Sequence, residues 1–153
     1  MSDLVPLHTR LAPATPAAIE KVRRLTEVLR QLPQTTFVTE HMLHGGMYTR
    51  TVRLPADTVC TAVLIQVPTV LITSGEASVY SDDELIHVEG YRVLPGSAGR
   101  KIAFVTHSNF SMSMLFPSKA KTVDEAQREF TPEHEMLVPL SRVDEHLVLI
   151  TGE

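Results

Sequence analysis

The sequence predicts an all-β domain, a small two-sheet sandwich or barrel with a helical segment before it and another after it. From Thr35 to Phe116 apolar residues recur with period two, the repeat of a strand buried on one face. Turn chemistry interrupts that pattern about every 8–12 residues, as in sandwiches and barrels. Ahead of this region the apolar period is 3.6, so a helix precedes the strands. A chain of 153 residues fits one domain. Residues 1–35 read as an arm and helix, 36–117 as the β-barrel, and 118–153 as a tail of short helices and one strand.

In the N-terminal segment, Thr15-Pro16 places an N-cap before a proline at the first helical position. Ile19, Val22, Leu25, Leu29 and Leu32 then form one apolar stripe, and Pro33 stops the helix. Phe110, Met112, Met114 and Phe116 alternate with Ser111, Ser113 and Leu115, and the first set faces the core. Tyr48, Arg50, Val52 and Leu54 alternate in the same way with Met47, Thr49, Thr51 and Arg53. Further strands are expected at 59–67, 70–73, 77–80, 85–88, 91–94 and 101–106. Pro55-Ala56-Asp57, Ser74-Gly75-Glu76, Ser81 to Glu84, Glu89-Gly90, Pro95 to Gly99 and His107 to Asn109 supply the turns. Beyond Pro117, Thr122-Val123-Asp124-Glu125 has the form of a capping box before a short helix. Thr131 to His134 starts a second helical turn, and Leu147 to Ile150 is a last β run and an edge-strand candidate.

Composition excludes several function classes. A chain of this length buries roughly 70% of its unfolded surface, and 43% hydrophobic residues suffice for a core without staples. Net charge is −4, against sequence-independent nucleic-acid binding, which needs Lys and Arg to displace phosphate counterions. The basic group Lys21, Arg23, Arg24 reads as a solvated helix face. The single cysteine, Cys60, allows no internal disulfide and suits a reducing, cytoplasmic setting. Its apolar surroundings make it an inert buried thiol rather than a nucleophile. The N-terminus lacks the basic segment and apolar run of a signal peptide. Thr58 to Gly75 carries no charge, but Pro68, Gln66 and four threonines break it, so it reads as two strands, not a membrane span.

Several short motifs line up in order. Thr39-Glu40-His41 and then Gly46-Met47-Tyr48-x-Arg50 lead to a strand start at Leu54-Pro55-Ala56-Asp57-Thr58. Ser74-Gly75-Glu76 follows, then Pro95 to Gly99 before Arg100-Lys101-Ile102. Over about half the chain this arrangement resembles the cupins, and most closely the small cupin-like proteins of bacteriophages and prophages. The resemblance implies a double-stranded β-helix, a jelly-roll barrel of some eight strands in two sheets, often dimeric. It also implies where a metal would sit: a His-x-His pair and a Glu from one motif, and a His from the next. Here those positions hold Ala62, Leu64, Pro68 and Ile102, or Lys101 if the register slips by one. None of these is a resting-state ligand for a divalent metal, so no cofactor is expected there.

His41-x-x-His44 is the one close histidine pair. In a bend, helped by Gly45-Gly46 and completed by Glu40, His87 or His107, it would make a relocated metal site. On a regular strand the two rings point to opposite faces and make ordinary hydrogen bonds, which is the favoured reading. Tyr48, Arg50 and Lys101 are expected around the barrel mouth as a ligand pocket. Two functions remain open. One is a non-catalytic cupin-like binding or assembly module, a homodimer with a small-molecule ligand or a phage or host protein partner. The other is a small isomerase- or dioxygenase-like enzyme using His41 and His44 or a metal-free pocket. Fold alone does not choose between them.

Overall fold

The computed structural model describes residues 9–137 and 145–153. The first eight residues of the expected arm and the stretch 138–144 of the expected tail lie outside the described residues.

The chain opens with helix α1 (Pro16–Arg30). The Thr15 hydroxyl accepts from Ala18 N at 3.2 Å, and Pro16 fills the first position, as the Thr-Pro start requires. The helix ends two residues before the expected Leu32. Pro33 disfavours helical backbone at the residue before it, and the Gln34 amide donates instead to the carbonyls of Leu29 and Leu32 at 2.9 and 2.8 Å.

Ten strands follow in chain order: β1 (Val38–His44), β2 (Met47–Leu54), β3 (Val59–Thr61), β4 (Thr69–Ser74), β5 (Ala77–Ser81), β6 (Glu84–Val88), β7 (Arg92–Gly96), β8 (Ile102–Thr106), β9 (Phe110–Pro117) and β10 (Glu145–Ile150). Helix α2 (Val123–Phe130) and a 3-10 turn (His134–Leu137) stand between β9 and β10. One sheet runs β10-β1-β2-β9-β4-β7 and the other β3-β8-β5-β6. From β2 to β9 the chain crosses between the sheets at every step except the β5–β6 hairpin. That winding is the two-sheet jelly roll that the resemblance implies, within the sandwich or barrel class the alternation predicts.

One local feature differs from expectation. The strand expected over 59–67 is regular only to Thr61; beyond it one bridge, Ile65 to Arg100, holds the chain against the next strand. Gly45-Gly46 makes the expected tight bend. Both residues have positive φ (60° and 71°) and they turn a two-residue hairpin between β1 and β2. The hairpin pairs Thr39 with Val52, His41 with Arg50 and Leu43 with Tyr48.

β2 then pairs with β9, setting Tyr48, Arg50, Val52 and Leu54 opposite Phe116, Met114, Met112 and Phe110. These alternate residues, with Leu71 and Leu94, form the inner face. One end of the barrel is sealed by aromatics. Tyr48, Phe116 and Phe130 have ring centroids within 6.0 Å of each other, and α2 delivers Phe130. Thr122 caps α2 by accepting from Glu125 N at 3.2 Å, and the Glu125 carboxylate returns to Lys121 N at 2.9 Å, one residue earlier than a standard box. Leu11 of the arm is buried along β7 through Leu11 N to Pro95 O at 3.1 Å and Ser97 N to Leu11 O at 2.9 Å.

The tail's last strand belongs to the barrel sheet. β10 lies parallel to β1 at the sheet edge, and Thr151 N donates to Leu43 O at 3.2 Å. The uncharged segment 58–75 becomes β3, an irregular stretch and β4, and no helix among the described residues is long and apolar enough to cross a membrane.

Gly75 tests the β4–β5 turn. Its φ is +108°, and a Cβ there would lie 2.4 Å from the Asn109 backbone carbonyl oxygen. Gly75→Ala should therefore destabilise the fold by more than about 2 kcal/mol, read as a lower urea midpoint. Gly90→Ala, where a Cβ meets nothing within 4 Å, should cost less.

Candidate functional site

The open end of the barrel leads into a cavity of about 460 Å³. Its inner wall is apolar: Val52, Leu71, Ile102, Phe104, Met112 and Met114 all line it. Leu29 and Leu32 at the end of α1, Phe37, and Met136 and Leu137 of the 3-10 turn frame the mouth. A volume of this size is within the range of small-molecule sites.

Polar groups enter from β1, β2 and β3. Arg50 lines the cavity from the centre of β2. Beside it Tyr48 is fully buried, and its hydroxyl lies 2.8 Å from His41 Nδ1. His41 Nε2 is 3.1 Å from His146 Nδ1, and the His41 and His146 rings stack. The Arg50 guanidinium is close enough to pull the Tyr48 pKa down against the effect of burial.

Burial, then the Arg50 charge, then His146 push the His41 pKa down to about 4. Burial pushes the Tyr48 hydroxyl up against the opposing pull of Arg50. Burial raises Cys60 to about 11. At neutral pH His41, Tyr48 and Cys60 are therefore uncharged, and none has a pKa near 7, where acid–base catalysis works best.

The expected pocket residues separate. Arg50 alone lines the cavity. Tyr48 is not at the mouth, because its ring belongs to the aromatic seal at the other end. Lys101 is turned away from the lumen, because Ile102 beside it takes the inward position of β8. Its Nζ donates to Ala62 O at 3.1 Å and to both Glu133 oxygens at 3.1 and 3.2 Å, and Glu133 also accepts from Leu64 N at 2.8 Å. Burial pushes the Lys101 pKa down while Glu133 pulls it back up. This pair fastens the segment after α2 to the barrel wall.

His41 and His44 do not converge. β1 is regular, so His41 faces inward and His44 outward, where its Nδ1 lies 2.8 Å from Thr151 Oγ1. His87 and His107 are elsewhere, on the outer face of the four-stranded sheet; His107 Nε2 is 2.7 Å from Ser78 Oγ. Where the resemblance would place metal ligands, Ala62 and Ile102 line the cavity and are joined by Ala62 N to Ile102 O at 3.0 Å. Neither side chain can ligate a metal. Among the described residues, the one group of three possible ligands within reach of one ion is Glu76, His87 and Glu89, outside the barrel.

Sequence reasoning missed Thr39, Arg100 and His146, all of which line the cavity. Thr39 is 1% exposed and its hydroxyl has no hydrogen-bond partner. Arg100 is 2% exposed, packs beneath Gly96 and donates to Ser97 O at 3.2 Å; burial lowers its pKa to about 10. Thr39 was accessible from the hairpin: a two-residue turn at Gly45-Gly46 sets it on the same face as Arg50. Nothing local marks His146, which depends on β10 returning to β1.

No family model matches the chain. No curated protein matches it. Solved structures do. The cupin domain of an XRE family transcriptional regulator from Enterobacter cloacae aligns at 13% identity over 54% of this chain and 99% of that one, with a TM-score of 0.45. A cupin superfamily protein from Desulfitobacterium hafniense aligns at 16% identity over 72% of this chain and 100% of that one, with a TM-score of 0.48. An RmlC-like cupin family protein with a double-stranded β-helix fold, from Methanocaldococcus jannaschii, aligns at 13% identity over 56% and 83%, with a TM-score of 0.45. The functional reading rests on the chain's own residues.

The buried imidazole makes stability depend on pH. Between pH 6.5 and about 4 the unfolded chain binds a proton at His41 that the folded chain does not. Stability is full above pH 6.5 and falls on acidification through that window, by on the order of 3 kcal/mol at completion. The difference in urea midpoint between pH 7 and pH 4.5 should be smaller in His41→Asn than in the wild type.

Proposed function

We propose that this chain is a non-catalytic, cupin-like binding module that holds a small organic ligand directly in its barrel, without a metal. The observation that carries the reading is the 460 Å³ apolar cavity, whose wall has Ala62 and Ile102 where the family resemblance would put ligands. Two guanidiniums line this cavity, Arg50 and Arg100, and oppose entry of a divalent cation. The displaced pKa values of His41, Tyr48 and Cys60 favour binding over proton transfer. The isomerase- or dioxygenase-like alternative would need catalytic groups other than these.

Two measurements test the reading. The neutral solvatochromic naphthalene prodan should bind with a blue shift, and Ala62→Trp, which fills the lumen, should abolish the shift. Protein expressed with zinc, iron, manganese and nickel present should contain far less than one metal per chain by elemental analysis. Stoichiometric metal retained inside the barrel, or no prodan shift in the folded wild type, would overturn the proposal.

An assembly role is supported by β10. Leu147, Val148, Leu149 and Ile150 are all about half exposed (47–57%), so both faces of this edge strand are apolar and open. An unpaired edge of that kind invites pairing, and a two-fold homodimer through β10 would cover it in both chains at once. Sedimentation equilibrium should return about twice the 17.0 kDa chain mass, with Leu147→Lys/Leu149→Lys shifting it toward one. A single-chain mass unchanged on dilution would exclude the dimer. Cytoplasmic residence and a prophage origin belong to the same proposal. Phage structural genes beside this gene would support the origin, and a catabolic operon would favour the enzyme alternative.

A further inference from the structure

The cavity is apolar, yet it holds a positive charge that nothing described neutralises. Arg50 Nη1 is buried and has no hydrogen-bond partner. Among the described residues no carboxylate forms an ion pair with Arg50 or with Arg100. The groups around Arg50 do not compensate. From β1, His41 is neutral; from β2, so is Tyr48; from β3, so is Cys60; and β9 offers Met112 and Met114. Glu135 and Asp57 line the cavity only as exposed residues of its rim. This holds in a chain whose net charge is −4, so the lumen is cationic against the charge of the whole.

A buried cation without a counter-ion is costly unless something supplies one. A second orphan lies on the same wall. Thr39 is 1% exposed and its Oγ1 has no partner. The hairpin pairs Arg50 with His41 and Val52 with Thr39, so Thr39 and Arg50 are diagonal neighbours on one inner face. Such positions are roughly 7–8 Å apart between Cα atoms, within reach of a long side chain. A buried guanidinium N–H and a hydroxyl, both unmet, thus belong to diagonal neighbours on one face of an apolar chamber.

Resting on the binding-module reading, we propose that the ligand is an organic monocarboxylate with an apolar body. One carboxylate oxygen accepts from Arg50 Nη1 and the other from the Thr39 hydroxyl. The apolar part lies against Leu71, Ile102, Phe104 and Met114.

Isothermal titration with two acid–amide pairs at pH 7 tests the assignment: octanoate against octanamide, and 3-phenylpropanoate against 3-phenylpropanamide. At least one acid should bind ten or more times tighter than its amide. Arg50→Met keeps an apolar stem and removes the charge; it should erase that preference while leaving amide binding within threefold. It should not lower the melting temperature, because the charge it removes is unpaired. Thr39→Val should weaken the acid about threefold or more and leave the amide unchanged, which keeps the test decisive if Arg50→Met fails to fold. Equal binding of acids and amides overturns the carboxylate assignment and leaves the binding module standing. Absence of binding by all four probes, with the prodan shift present, also overturns this ligand class. Absence of both fails the module itself.

Discussion

Register on β2 is the constraint from which the rest of the structure follows. This strand pairs on both sides, with β1 and with β9, over its full length. Its side chains alternate, so a slip of one residue would turn Tyr48, Arg50, Val52 and Leu54 outward and bring Thr49, Thr51 and Arg53 inward. Three local features oppose the slip. The two-glycine hairpin sets the β1 partner, since few other residues adopt its positive φ values. Phe116 and Phe110 at the two ends of β9 pack inward against the core. On the outer face Thr51 and Ser113 hydrogen-bond at 2.7 Å, which they do only in the observed pairing.

The same register explains a tension at the centre of the barrel. An arginine at an inward position is expensive, and its neighbours are arranged around the cost. The Tyr48 hydroxyl and His41 Nδ1 lie 2.8 Å apart, and His146 continues the chain from His41 Nε2 to an exposed edge. That chain satisfies polar atoms beside Arg50 but contributes no negative charge. Arg50 is not neutralised by it. A core residue selected only for packing would be better served by methionine, as in the partner position Met114.

Much of this was legible in the sequence, and what was not has identifiable causes. Period two marked the inner faces of β2 and β9 because both strands are long and half-buried. The Thr-Pro start and the Thr122–Glu125 box located both helices because capping is local chemistry. The strand expected over 59–67 failed after Thr61, because an apolar run does not distinguish a paired strand from an extended segment held by one bridge. Lys101 was misplaced by the parity of one residue: Ile102 faces in, so its neighbour faces out. Tyr48 was placed on the right face but at the wrong depth, since depth depends on Phe130, which arrives from a helix some eighty residues later in the chain. His146 and Thr39 needed long-range pairing that no window of sequence contains.

The barrel is filled at one end and empty at the other, and the amino acids account for the difference. Aromatic residues are only 5% of the chain. Three of them, Tyr48, Phe116 and Phe130, close one end together. Phe104 and Phe110 pack against each other with centroids 6.0 Å apart, and only Phe104 of that pair lines the cavity. Toward the mouth the wall side chains are short: Thr39, Val52, Cys60 and Ala62. Such residues cannot reach across a lumen, and an apolar space left by them persists because close packing elsewhere prevents collapse. Over this space stand the end of α1 and the 3-10 turn, where Arg30 Nη1 lies 3.9 Å from Met136 Sδ. The segment leading into the 3-10 turn is tied to the barrel wall by Lys101 and Glu133. The lumen therefore has an aromatic floor and a cationic wall, an arrangement that a packed core does not need.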